Sequence, residues 1–211
     1  MKGPATPSAP TVRATSTLLF IVNSAEFFLS HRMPIALAAK EAGYDVHVAT
    51  ALDATVERVS SAGLTWHELP MSRSGVNPFS ELWTFWRILL LLTRLRPGIV
   101  HLVTIKPVLY GGIAARLVRI HAVVASISGL GFTFSAKGMK ARLSGAAARL
   151  LYGLALRHRN SRTVFQNTQD LETLRNLMGS RGSDGRTQIG CSFEWVGYGT
   201  NGDAELDGVR W

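Results

Sequence analysis

Apolar residues along this chain follow two alternating patterns: short continuous runs and longer runs with helical spacing. The short runs are typical of buried strands and lie at residues 18–22, 46–49, 99–103, 122–126 and 163–165, whereas residues 64–69 alternate like a strand near the edge of a sheet. The longer runs repeat apolar positions every three or four residues and predict helices at residues 33–42, 53–62, 79–95, 107–119, 137–157 and 168–178.

This alternation predicts an α/β fold with a single Rossmann-like, doubly wound parallel sheet. Nearly continuous apolar strands indicate that helices cover both faces of the sheet. Right-handed crossovers between parallel strands then wind it in both directions. We expect this domain at residues 17–178, after a proline-rich disordered leader at residues 1–16.

The periodic pattern stops after Met178. Residues 179–211 contain eight glycines and have neither helical nor strand spacing, so we expect an irregular, disordered tail. A shifted reading frame or a truncation is the favoured explanation of such a tail. An ordinary linker to a missing partner domain is the alternative.

The charge balance indicates an anionic partner. The 211 residues carry a net charge of +9, and residues 179–211 hold five acidic and three basic residues, which leaves +11 on residues 1–178. The basic residues form no compact cluster with aromatic ones, so nucleic acid is not expected as a partner.

The single cysteine, Cys191, excludes an internal disulfide framework and fits a cytoplasmic location. No apolar run reaches the roughly 18–20 residues that span a bilayer.

Ligands of open parallel sheets bind at the carboxyl ends of the strands, where three loops carry candidate chemistry. The first begins at Asn23 and leads into a helix whose start holds Ser30, His31 and Arg32. Free N–H groups and a cation at a helix start bind anions. The alternative is simple helix capping by Ser30, with the two neighbouring phenylalanines in the core.

The second loop follows the fourth strand and holds His101, Thr104 and Lys106. A lysine at a helix start is disfavoured by the helix dipole unless it meets an anion. The alternatives are a buried core histidine and a solvated surface lysine.

The third loop holds Ser128, Gly129 and Gly131, whose glycines let a ligand approach the backbone. The dinucleotide motif Gly-x-Gly-x-x-Gly is absent after the first strand, which argues against NAD. We expect neither a metal nor a cofactor.

The predicted helix at residues 137–157 is basic and amphipathic. Lys137, Lys140, Arg142 and Arg149 suit an anionic membrane surface, and the alternative is a helix packed on the sheet with solvated arginines.

The predicted helix at residues 79–95 is apolar except for one narrow polar stripe. It contains Trp83 and Trp86, and burial is favoured over membrane contact.

Four segments carry a specific combination of residues. They read Phe27-Phe28-Leu29-Ser30-His31-Arg32-Met33-Pro34, Ala42-Gly43-Tyr44-Asp45-Val46-His47-Val48-Ala49-Thr50, His101-Leu102-Val103-Thr104-Ile105-Lys106-Pro107-Val108-Leu109-Tyr110-Gly111 and Ser128-Gly129-Leu130-Gly131-Phe132. Together they resemble the N-terminal domain of bacterial family 4 glycosyltransferases of the GT-B type, from the branch that builds cell-surface polysaccharides.

The resemblance implies an enzyme that moves a sugar, with retention, from a nucleotide sugar to a saccharide acceptor. Its N-terminal domain would bind the acceptor, often linked to polyprenyl diphosphate, with peripheral attachment to the inner face of the cell membrane. Its C-terminal domain would bind the nucleotide sugar, a co-substrate, through a Glu-x7-Glu pair. That pair is absent here, so we expect the donor domain to be missing and the chain alone to be inactive.

By the same resemblance, the first and third loops would bind acceptor phosphates, and His101, Thr104 and Lys106 would lie near the reacting sugar. The chain departs from the family at two places. The His-x-His of many relatives reads His101-Leu102-Val103, and Asn23-Ser24 replaces a glycine-rich first loop. A non-catalytic domain that binds anions or lipid is therefore the alternative function.

Overall fold

The computed structural model describes residues 16–71, 77–127, 150–165, 168–178 and 187–190. In chain order the elements are β1 Thr17–Ser24, α1 Ala25–His31, α2 Met33–Glu41, β2 Asp45–Ala51, α3 Val56–Ser61, β3 Thr65–Glu68, α4 Pro78–Leu95, β4 Ile99–Val103, α5 Ile105–Val118, β5 Ala122–Ile127, α6 residues 150–155, β6 Ser161–Phe165, α7 Thr168–Met178 and β7 Thr187–Gly190.

The strands form one parallel sheet in the order β3-β2-β1-β4-β5-β6-β7. The chain moves outward from β1 to β3, returns through α4 to the other side of β1, and then moves outward again from β4. This is the predicted doubly wound α/β sheet, and that prediction is confirmed. The winding direction reverses between β1 and β4, so the loops after these two strands diverge there.

Each face of the sheet has its own apolar core, because successive side chains of a strand point to opposite faces. On one face Leu19 and Ile21 of β1 pack with α4, α5, α6 and α7. On the other face Phe20 and Val22 pack with α1, α2 and α3. The main strands are therefore buried on both sides, as their continuous apolar runs predict.

A short helix, α1, occupies a segment where the sequence pattern predicts a loop. The Ser24 side chain caps it by accepting a hydrogen bond from the Phe27 backbone N–H at 3.3 Å. Phe28 anchors it, since its ring contacts the Phe20 ring edge-to-face at 5.5 Å. Local capping and one tertiary contact stabilise a helix too short to show a period.

The strand β7 lies within residues 179–211, where the sequence pattern predicts no regular structure. It pairs in parallel with β6, from Ser161 opposite Thr187 to Val164 opposite Gly190. Unpaired N–H and C=O groups of an edge strand accept another strand whatever its apolar pattern. The other residues of this segment lie outside the described part of the chain, and the two domain boundaries, after residues 16 and 178, stay predictions.

The expected burial of the helix at residues 79–95 is wrong for one of its faces. Thr84, Ile88 and Leu92 of α4 are buried, but Phe79 and Trp83 are 83% and 53% exposed. The sheet packs against only one side of α4. Among the described residues, no second element covers the opposite side, so its apolar residues stay exposed. Among the helices of the described residues, none is long and apolar enough to cross a membrane.

Candidate functional site

The winding of the sheet reverses between β1 and β4, and in such sheets this switch point places a crevice at the carboxyl edge of the two strands. Val22 of β1 lies opposite Val103 of β4, so Asn23 and Thr104 are the next residues on the two neighbouring strands. The side-chain oxygens Oδ1 of Asn23 and Oγ1 of Thr104 are both buried, and neither has a hydrogen-bond partner in the described part of the chain. A buried polar atom without a partner costs about 1–3 kcal/mol, so this pair marks where a polar ligand would be stabilised.

Thr104 is held in a strained backbone conformation. Its φ of 73° and ψ of 172° belong to a region that is occupied almost only by glycine. The Thr104 backbone N–H donates to the Ser126 carbonyl oxygen at 3.1 Å, and the Thr104 carbonyl accepts from the Val108 N–H at the start of α5. A β-branched residue is strained here by about 1–3 kcal/mol, and backbone strain of this kind clusters at functional sites.

His101 lies on β4 two residues before Val103, on the face of the sheet that α1 and α2 cover. Its Nε2 is 2.8 Å from Ser126 Oγ, and its ring lies 5.0 Å from the ring of Phe20. Burial, followed by the positive charge of Arg32, lowers the pKa of His101 to about 3. The imidazole is therefore neutral near pH 7, as the alternative of a buried core histidine predicts. In this state the ring can form a hydrogen bond but supplies no positive charge.

Arg32 is buried where α1 ends and α2 begins. Its backbone N–H donates to the Phe28 carbonyl at 2.8 Å, and its Nη1 donates to the His31 carbonyl at 3.1 Å. Only 4% of the residue is exposed, and its charge reaches His101 across the interior. The structure thus brings Arg32 and His101 together behind the crevice, on one side of the sheet.

Ser30 and His31 lie at the end of α1, and the expectation that they begin a helix is wrong. Ser30 Oγ donates to the Glu26 carbonyl at 3.0 Å and lies 2.6 Å from His31 Nδ1, while the His31 ring stacks on Phe27 at 4.2 Å. The capping alternative for Ser30 is also wrong, since the residue bonds backward into its own helix. Because the unpredicted helix α1 precedes α2, both residues lie at the end of α1 and not at the start of α2.

Lys106 forms an ion pair that the sequence did not predict. Its Nζ lies 2.6 Å from Glu81 Oε1, and the Tyr110 hydroxyl donates to Glu81 Oε2 at 2.7 Å. Burial, the hydrogen bond and the charge of Glu81 all raise the pKa of Tyr110. The alternative of a solvated surface lysine is therefore wrong. The anion that Lys106 binds in this structure is Glu81, and their ion pair joins the first turns of α4 and α5.

Asp53 is the first residue of the predicted helix at residues 53–62, but in the structure its side chain contacts the start of α1. Its Oδ2 accepts the Ala25 N–H at 2.9 Å and the Glu26 N–H at 3.3 Å, and its Oδ1 accepts from Thr55. Burial by itself would raise the pKa of Asp53, but these hydrogen bonds outweigh it and lower the pKa. It therefore caps α1 rather than the helix that follows it. The Asp-x-Thr spacing predicts the local turn, but no local signal predicts a partner 28 residues away.

The remaining predicted site residues lie outside the described residues. They are Ser128, Gly129 and Gly131 of the third loop, and Lys137, Lys140, Arg142 and Arg149 of the predicted membrane helix. Among the residues that the structure does describe, no group of three or more His, Cys, Asp and Glu side chains is arranged to hold a metal ion.

A sequence profile of the family described as "Glycosyl transferase 4-like" matches residues 17–168, which include the crevice and all strands from β1 to β6. The chain belongs to the glycosyl transferase 4-like family. The predicted resemblance is thereby confirmed, and the crevice between β1 and β4 becomes the candidate site of a glycosyl transferase 4-like domain.

One curated family relative is N,N'-diacetylbacillosaminyl-diphospho-undecaprenol alpha-1,3-N-acetylgalactosaminyltransferase of Campylobacter jejuni. The alignment runs over 158 positions at 29% identity and covers 71% of this chain and 42% of the relative.

Solved structures with the same fold include a glycosyltransferase from Rickettsia africae and a UDP-N-acetylglucosamine 2-epimerase. The first has a TM-score of 0.56 at 14% identity and covers 83% of this chain and 42% of the other. The second has a TM-score of 0.54 at 12% identity, with 83% and 48% covered. An epimerase and a transferase share this fold, so the likeness shows the fold and leaves the reaction to the site. This glycosyl transferase 4-like chain spans less than half the length of each of these three proteins.

Proposed function

We propose that this chain is the acceptor-binding half of a retaining, nucleotide-sugar-dependent glycosyltransferase. Its acceptor would be a saccharide linked to polyprenyl diphosphate, used in the synthesis of a cell-surface polysaccharide. The family membership supports the transferase class, and the name of the Campylobacter relative supports an acceptor on diphospho-undecaprenol. The observation that carries the proposal is the pair of buried, unpartnered oxygens of Asn23 and Thr104 at the switch point.

In this proposal each described residue has a separate role. The Asn23 amide and the Thr104 hydroxyl bind hydroxyl groups of the sugar, because both oxygens lack partners at the carboxyl edge. Arg32 places a buried positive charge behind the site, which favours the diphosphate. His101 acts as a positioning residue through Ser126, since its lowered pKa leaves it neutral.

The nucleotide sugar belongs to a second domain in this proposal, so the 211-residue chain alone does not transfer sugar. The chain works from the cytoplasmic side, attached peripherally to the inner face of an anionic membrane where its lipid-linked acceptor resides. Lys137, Lys140, Arg142 and Arg149 remain candidate membrane contacts of the predicted helix.

Calorimetry with a short-chain prenyl-diphosphate saccharide tests the acceptor site. Wild type should bind it with a micromolar dissociation constant, and Asn23→Ala and Thr104→Ala should each weaken binding about tenfold, because each removes a hydrogen bond worth roughly 1.4 kcal/mol. Thr93→Ala is the matched control, since Thr93 is an exposed threonine toward the far end of α4. Equal affinity of all four proteins would refute the crevice as the site.

Titration with nucleotide sugars tests the half-domain part. Their dissociation constants should be no tighter than about 1 mM, a binding free energy near −4 kcal/mol. A micromolar value for any nucleotide sugar would place the donor site on this chain and overturn the proposal.

A non-catalytic domain that binds anions or lipid is the second candidate. The ion pair of Lys106 with Glu81 and the neutral state of His101 favour it, because both groups already serve the fold. Supplying the C-terminal half of a longer family member in trans separates the two functions. Sugar transfer by the mixture supports the transferase, and acceptor binding without any transfer supports the second candidate.

A further inference from the structure

One face of the first half of α4 is apolar and exposed. Phe79, Leu82, Trp83 and Trp86 are 83%, 66%, 53% and 54% exposed, and together they line a shallow groove. Their spacing of three and four residues puts them on one side of the helix, away from its buried residues. We call these four residues the α4 apolar face. Contiguous exposed apolar surface of this kind marks an interaction site.

The composition of the α4 apolar face suits the boundary between water and lipid. Three of its four residues are aromatic, and two are tryptophan, a residue enriched where lipid headgroups meet the acyl chains. The guanidinium of Arg87 lies 5.9 Å from the centre of the Trp83 ring, so a cation flanks the aromatic surface. An amphipathic helix that lies in a membrane plane combines these two features.

The charges around the α4 apolar face favour an anionic surface. Glu81 is the only acidic residue of α4, and its carboxylate is already bound by Lys106 and Tyr110. The helix also carries two basic residues, Arg87 and Arg94, so it is positively charged once Glu81 is bound by Lys106. An interface with the other half of a transferase, or with a second copy of this chain, needs no such one-sided charge, whereas an anionic bilayer attracts it.

The α4 apolar face also lies at the same edge of the sheet as the crevice. Helix α4 leads from β3 back to β4, so its first turns are at the carboxyl edge of the strands. The bond between Glu81 and Lys106 fixes these turns to the start of α5, two residues after Thr104. A bilayer in contact with the α4 apolar face would therefore place its lipid headgroups beside the crevice.

We propose that the α4 apolar face docks this chain on an anionic bilayer, with the aromatic side chains inserted at the headgroup level. This proposal rests on the proposed function in one respect: a lipid-linked acceptor explains why the chain would bind a membrane. The docking surface is separate from the predicted helix at residues 137–157 and from the crevice itself.

Sedimentation with phosphatidylcholine–phosphatidylglycerol vesicles that contain no polyprenol tests the docking. The variant Phe79→Gln/Trp83→Gln/Trp86→Gln should bind at least about tenfold more weakly than wild type, because it removes most of the inserted apolar surface. The control Leu52→Gln/Leu117→Gln changes two residues that are 64% and 62% exposed elsewhere, and it should bind like wild type. Equal loss in both variants, or no loss in the triple variant, would overturn the proposal.

Brominated lipids give an independent readout of insertion. They should quench the tryptophan fluorescence of wild type, and Trp83→Phe/Trp86→Phe should lose most of that quenching while still binding vesicles. Unchanged quenching in this variant would show insertion elsewhere and count against the α4 apolar face. A lipid-free dimer that the triple variant converts to a monomer would mean that a second copy covers this face, and would also overturn docking.

Failure of docking and failure of the proposed function give different results. The triple variant should bind the short-chain prenyl-diphosphate saccharide as wild type does, since its three residues lie outside the crevice. Loss of vesicle binding with intact saccharide binding supports docking. Vesicle binding by a chain that binds no saccharide in calorimetry would refute the proposed acceptor site and leave docking supported.

Discussion

Substitution of Thr104 separates backbone strain from side-chain function at the crevice. At a φ of 73° and a ψ of 172°, a threonine is strained by about 1–3 kcal/mol. Glycine relieves that strain but adds about 0.5–1 kcal/mol of backbone entropy to the unfolded state. The buried Oγ1 has no partner among the described residues, so its removal breaks no hydrogen bond seen in the structure. We therefore expect Thr104→Gly to raise the free energy of unfolding by about 1 kcal/mol.

Thermal unfolding followed by circular dichroism measures this gain. For a domain of this size, about 1 kcal/mol corresponds to a melting temperature about 2–4 °C higher. Thr104→Ala is the internal control, because it removes the hydroxyl but keeps Cβ and with it most of the strain. Both variants should lose affinity for the prenyl-diphosphate saccharide, so the glycine variant should be more stable and bind less well. A melting temperature of Thr104→Gly below that of Thr104→Ala would show that the threonine is accommodated without strain.

Two further predictions concern the interior. The pKa of His101 is about 3 in the fold and near 6.5 when unfolded, so below pH 6.5 the unfolded state binds the extra proton and stability falls as pH falls. In urea unfolding, the free energy of unfolding should be about 2 kcal/mol lower at pH 5 than at pH 7. His101→Gln should make it depend less on pH, and an equal pH dependence in the variant would assign the titration to other groups. A Cβ added to Gly112 of α5 would lie 2.7 Å from the Ala155 carbonyl oxygen, whereas at Gly98 its nearest contact is at 3.8 Å. Gly112→Ala should therefore destabilise the chain by about 1–3 kcal/mol in urea unfolding and Gly98→Ala by much less, and equal effects would argue against close packing of α5 on residue 155.

The sequence by itself determined the fold class and the family of this protein. Continuous apolar strands alternating with helical spacing are a local pattern, and parallel pairing with right-handed crossovers leaves few arrangements for it. The rule that ligands bind at the carboxyl edge also selects the loops that contain Asn23 and Thr104.

Only the tertiary structure decided which polar groups are available at that edge. The partners of Lys106 and Asp53 lie 25 and 28 residues away in the sequence, so no local spacing reveals that one carboxylate binds the lysine and the other caps α1. The strain at Thr104 is likewise a property of the backbone between two packed elements. The exposure of Trp83 has the same origin: helical spacing shows that a face is apolar, and the position of the helix on the sheet decides whether that face is buried.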